Sequence, residues 1–114
     1  MANIIANYES NATDKDAIGD EGNAEFSPAQ GFTIASTGLV GSVDIYTRKI
    51  NTISDPITLR IETNSGSAPS GSLANASATT TFTPSNTSYD WVKATFPASF
   101  SLNSATTYWI VCSV

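Results

Sequence analysis

The sequence predicts an all-β fold, an antiparallel β-sandwich of about seven to eight short strands. Three observations lead there. Leu, Glu, Lys, Arg and Gln are sparse while Thr, Ser, Val, Ile and aromatics dominate, a composition suited to pleated, half-buried surfaces. Apolar and polar residues alternate with period two in one segment after another. Turn formers punctuate those segments at roughly 8–12-residue intervals, as in sandwiches and barrels.

The elements follow in chain order. Ile4-Ile5-Ala6-Asn7-Tyr8 reads as a first strand. An acidic excursion over 9–25 follows, holding Glu9, Asp14, Asp16, Asp20, Glu21 and Glu25. Gln30 to Ile34 reads as a second strand, with Gln30, Phe32 and Ile34 on one side. From Leu39 to Tyr46, alternation puts Leu39, Gly41, Val43 and Ile45 on one face and Val40, Ser42, Asp44 and Tyr46 on the other. Ile57 to Glu62 alternates most cleanly, apolar toward a core and polar or charged toward water. Asn64 to Ser72 is a run of turn formers expected to hold no ladder, and Leu73 to Phe82 an edge strand or extended connector. Trp91 to Phe96 resumes alternation, with Trp91, Lys93 and Thr95 opposite Val92, Ala94 and Phe96, and Pro97 is expected to end it. The last segment, Tyr108 to Val114, is apolar on both faces.

The chain has 114 residues, one domain's worth, spanning 1–114 without a linker. It has no histidine and one cysteine, Cys112. Imidazole-based catalysis, an internal disulfide and a thiolate zinc cluster are thereby excluded. Cys112 reads as a small buried hydrophobe. A net charge of −5 argues against nucleic acid as a partner. No apolar run approaches the ~18 residues of a spanning helix, and no cationic-then-apolar export signal opens the sequence. The expectation is a protein without membrane insertion, made without a secretory route.

The greasy final strand needs cover on both faces. Either the sheet closes around it or a partner chain does, and the expectation is assembly. The contact residues would be Ile4, Ile5 and Tyr8 of the opening strand and Tyr108, Trp109, Val111 and Val114 of the closing one.

Gln30-Gly31-Phe32-Thr33, Val43-Asp44-Ile45-Tyr46, Ile57-Thr58-Leu59-Arg60-Ile61, the Ser65-to-Ala74 stretch, Trp91-Val92-Lys93-Ala94-Thr95-Phe96 and Tyr108-Trp109-Ile110-Val111 occur in that order. Together, from about Ala29 onward, they resemble jelly-roll β-sandwich domains similar to carbohydrate-binding modules. Such domains recur in bacterial surface proteins and bacteriophage structural proteins. The resemblance implies a jelly-roll-like sandwich used for attachment, to a glycan or to a particle surface, and not for chemistry. Members usually run further past the Tyr-Trp-Ile-Val strand, which points to a neighbour completing the sheet here.

Sugar binding commonly uses an exposed ring against the apolar face of a pyranose. Trp91, on the strand face with Lys93 and Thr95, is the first candidate, and Tyr89 the second. Tyr46, sharing parity with Asp44 and Arg48, is the third. The plainer reading is packing for two of them, Trp91 as a cap on the sandwich rim and Tyr46 as a cross-strand pair partner. Trp109 reads as core or subunit interface. Counting from Asp14 as position 1, Asp16 falls at 3, Gly19 at 6 and Glu25 at 12, part of a calcium-loop spacing. Ile18 at 5 and Glu21 at 8 break it, so Asp14, Asp16 and Glu25 are speculative calcium ligands beside the plainer reading, a solvated acidic loop.

The sequence therefore leads to a non-enzymatic bacteriophage virion protein, a capsid-decoration, tail or fibre module assembled in the host cytoplasm. Its expected partners are other virion proteins and copies of itself, without a cofactor. The alternative is a carbohydrate- or receptor-binding module on a host-surface glycan, at the virion, the cell surface or outside the cell.

Overall fold

The computed structural model describes residues 19–21, 24–26, 29–48, 56–84 and 86–113. They form nine strands and no helix: β1 (Gly19–Glu21), β2 (Ala24–Phe26), β3 (Ala29–Phe32), β4 (Gly38–Thr47), β5 (Ile57–Ser65), β6 (Ala68–Leu73), β7 (Thr79–Phe82), β8 (Asp90–Leu102) and β9 (Tyr108–Ser113). All pairings are antiparallel. The all-β, sandwich-like class expected from the sequence is present. The opening strand Ile4–Tyr8 lies outside the described residues. The end of the acidic excursion is a short hairpin, β1 against β2, with Asp20 opposite Glu25.

One layer is a five-stranded sheet ordered β3-β9-β5-β6, with β7 also on β5. The other is the β4–β8 ribbon. Between them lies a single cluster of buried side chains that includes Phe32, Leu59, Ile61, Phe82 and Tyr108 from the sheet and Val40, Ala94, Phe96, Phe100 and Leu102 from the ribbon. Leu59, Ile61 and Leu102 are fully buried, and each such side chain stabilises the fold by about 1.5–3 kcal/mol. The Phe32 and Tyr108 rings, opposite one another in the register, stand 6.0 Å apart, and Phe96 meets Phe100 edge-on at 5.0 Å. Thr80 Oγ1 donates to the Thr95 carbonyl at 2.8 Å and ties the two layers together.

β9 sits inside the sheet, bonded to β3 along one edge and to β5 along the other. The sheet itself closes around both edges of this strand, so its edges need no partner chain. Tyr108, Ile110 and Cys112 fall opposite Thr63, Ile61 and Leu59 of β5, and Tyr108 and Cys112 are buried.

The far edge of β5 is shared. β7 takes Ile57 to Arg60 and β6 takes Glu62 to Ser65. The hand-over falls at Ile61, whose N–H donates to the Ala78 carbonyl while its own carbonyl accepts from the Ala74 amide, both at 2.9 Å. The 74–77 turn can therefore leave the sheet without orphaning a buried backbone group.

Three local expectations are corrected. The Asn64-to-Ser72 run does hold a ladder. Gly66 and Ser67 make a two-residue turn with φ of 55° and 69°, and β6 starts at Ala68, because two positive φ values match the twist of a tight hairpin. Pro97 does not end its strand. It lies exposed inside β8, between Thr95 opposite Ser42 and Phe100 opposite Val40, where the register shifts; a bulge asks no ladder amide of it. The same irregularity breaks the simple alternation read over Leu39 to Tyr46. Val40 is buried with the core while Gly41 is exposed, and Val43 and Ile45 then resume the inward face.

Candidate functional site

Beyond the bulge, alternation along the ribbon is regular. Val43, Ile45 and Val92 pack against the core from one face. Asp44, Tyr46, Trp91, Lys93 and Thr95 are exposed on the other. The register sets Tyr46 opposite Trp91 and Asp44 opposite Lys93. Tyr46 and Trp91 are 56% and 55% exposed, high for large apolar side chains.

The three aromatic candidates come together here. The Tyr46 ring centroid is 5.2 Å from that of Trp91, tilted by 48°, and 5.5 Å from that of Tyr89, nearly parallel at 23°. Tyr89 comes from the loop just before β8, so the row needs that loop held in place. Asp90 does so: its Oδ1 accepts from the Trp91 amide at 2.8 Å and its Oδ2 from Asn86 Nδ2 at 3.1 Å. At the end of the row the Arg48 guanidinium lies over Tyr89, 5.1 Å from the ring centroid. Lys93 pairs with Asp44 at 3.3 Å, both side chains more than half exposed. Such a surface pair contributes little stability, but it cancels two charges beside the rings.

The arrangement is a row of three rings with hydrogen-bonding groups along its border. Rings of this kind take the C–H-rich face of a sugar, and border groups of this kind take its hydroxyls. Packing on a cross-strand partner and exposure to solvent, set out as alternatives for Tyr46, coexist.

Trp109 faces outward from the other layer, half-buried. An added Cβ at Gly31 would meet its Cη2 at 3.1 Å, so the indole lies over that glycine. Its Nε1 donates to Asn64 Oδ1 at 2.9 Å. Beside it Glu62, expected to face water, is only 5% exposed. Its carboxylate accepts from Arg60 Nε at 2.9 Å and from the Gly71 amide at 2.8 Å, and Arg60 Nη2 donates to the Gly71 carbonyl at 3.0 Å. The outward alternation of Arg60, Glu62 and Asn64 was the available signal for this network. What hid it was the strand character of the Ser/Gly run, which brings Gly71 across.

Of the other sequence candidates, Tyr108 is core, and Val111 is half-buried, opposite Ala29 and Arg60. Ile4, Ile5, Tyr8, Val114, Asp14 and Asp16 lie outside the described residues, and Glu25 is placed only as a position in β2. Among the described residues no three His, Cys, Asp or Glu side chains gather as metal ligands. Cys112 is buried, and that burial pushes its thiol from 9.0 up to about 11. Comparisons with protein-family profiles, with curated proteins and with solved structures each return no match to this chain.

Proposed function

We propose that this chain is a non-catalytic attachment module that binds carbohydrate through Tyr46, Tyr89 and Trp91. One observation supports this most: three rings from two strands and a pinned loop stand together on a face where two of them are more than half exposed. Leaving such rings in water forgoes burial worth kilocalories, and an exposed apolar patch of this kind marks an interaction surface. The jelly-roll resemblance gives the setting, a bacteriophage particle or a bacterial surface protein, with a host-surface glycan as the ligand.

A second reading, virion assembly, draws on strand edges. Among the described residues one edge of β3 and both edges of the β4–β8 ribbon carry no ladder partner, and edges of that kind template strand addition by a neighbour. The final strand, with both edges bonded inside the chain, no longer argues for it.

Tryptophan fluorescence titration against a panel of bacterial surface polysaccharides separates the two. A glycan binder changes emission saturably and loses that response in Trp91→Ala. An assembly subunit shows no response but sediments as an oligomer or joins particles, and Trp91→Ala leaves that association intact. Absence of both would reject both.

A further inference from the structure

We infer that Arg48 makes the aromatic row selective for acidic sugars; the inference rests on the carbohydrate reading above and names the class of glycan. Two ion pairs occur among the described residues, Arg60 with Glu62 and Lys93 with Asp44. Neither uses Arg48, which is exposed and held by cation–π contact with Tyr89. Of the charged groups bordering the rings, Lys93 is paired with Asp44, and Asp90 keeps its charge while both its oxygens are engaged by the Trp91 amide and Asn86. Among the described residues the Arg48 guanidinium is thus the cation at the row without an ion-pair partner, and it stands at one end, over Tyr89.

A planar guanidinium fork matches a carboxylate or another oxyanion through two parallel hydrogen bonds. A uronate stacked on the exposed Tyr46 would direct its carboxylate to that fork. Ring stacking on the guanidinium fixes the side chain beforehand, so little rotamer freedom is left to lose on binding. The whole chain carries a net charge of −5, which repels polyanions at long range. Preference for an acidic glycan must then come from a local contact, not from general charge. That separates this site from a nonspecific basic patch.

The test measures affinities of oligogalacturonate, a matched neutral oligosaccharide and a sulfated oligosaccharide for the intact chain and for Arg48→Gln, Arg48→Lys and Trp91→Ala. The acidic sugars should bind about tenfold more tightly than the neutral one, the gain expected of one charge-assisted bidentate contact. Arg48→Gln should erase that ratio, while Arg48→Lys, a point charge without the fork, should keep only part of it. Preference for carboxylate over sulfate identifies a uronate as the source; the reverse identifies a sulfated sugar. Neutral binding that disappears in Trp91→Ala, with no acidic preference or with a preference that survives Arg48→Gln, would overturn this inference and leave the carbohydrate reading standing. No binding of any sugar would overturn both. An unchanged melting temperature in Arg48→Gln confirms that the variant folds, as expected for an exposed residue.

Discussion

Trp109 and Asn64 are joined by an indole N–H···O bond of 2.9 Å across the outward face of the five-stranded sheet, although 45 positions separate them in sequence. Gly31 completes the seat, since a methyl group there would stand 3.1–3.2 Å from three indole carbons. Gly31→Ala should displace the ring and cost about 1–2 kcal/mol, the usual penalty of overpacking. Asn64→Ala should cost about 1 kcal/mol. Both act through one ring, so in urea unfolding the double variant should lose less than the two single losses added together. Simple additivity would show that the ring does not couple them.

The β5–β6 turn holds an L-residue where glycine is more comfortable. Ser67 has φ 69°, next to Gly66 at 55°. Ser67→Gly relieves the left-handed strain but loosens the unfolded chain, leaving a net gain of about 0.5 kcal/mol. Gly66→Ala should instead lose about 1 kcal/mol. Opposite shifts of the two denaturation midpoints are the expected outcome, and a drop in both would contradict the turn assignment.

Tyr108 works at both ends, its ring against Phe32 and its hydroxyl accepting from the Asn103 amide at 2.9 Å. Tyr108→Phe keeps the ring contact and strands the amide. A loss of about 1–2 kcal/mol is expected, with the melting curve still cooperative. No loss would mean that water replaces the hydroxyl there.

Cys112 gives a pH signature. Its thiol ionises near 9.0 ordinarily and near 11 in the folded chain. Between those values the unfolded chain has released the proton and the native chain retains it, so stability falls as pH rises through the window. The fall attributable to this group approaches about 2–3 kcal/mol by pH 11 and is negligible below about pH 8. Measured against Cys112→Ala, which cancels the other titrating groups, the wild-type advantage should shrink over that window. Parallel stability profiles would disprove it.

Much of the fold was legible because one-sided burial writes itself as alternation. Leu59 and Ile61 against Arg60, and Val92 and Ala94 against Trp91 and Lys93, are placed as their parity predicts. Parity fails where backbone geometry overrides it. The bulge flips Val40 inward and houses Pro97, and Ser67 supports a tight turn that only its φ reveals. Parity also brought Tyr46 and Trp91 to one face, but their being opposite each other depends on register, and register is a property of two strands. Burial of Glu62 was invisible for the same reason, since its donor Gly71 comes from a strand the Ser/Gly composition concealed. The place of β9 is not legible in the sequence, because apolar character on both faces shows that a strand is covered, not by what.

The ribbon segregates two jobs onto odd and even positions of the same backbone. Ile45 and Val92 secure the interior while their neighbours Tyr46 and Trp91 meet the outside. Substitutions at the outward set can therefore accumulate at little expense to folding. The chemistry of that outer face can thus be rewritten by altering a handful of side chains, leaving the scaffold beneath untouched.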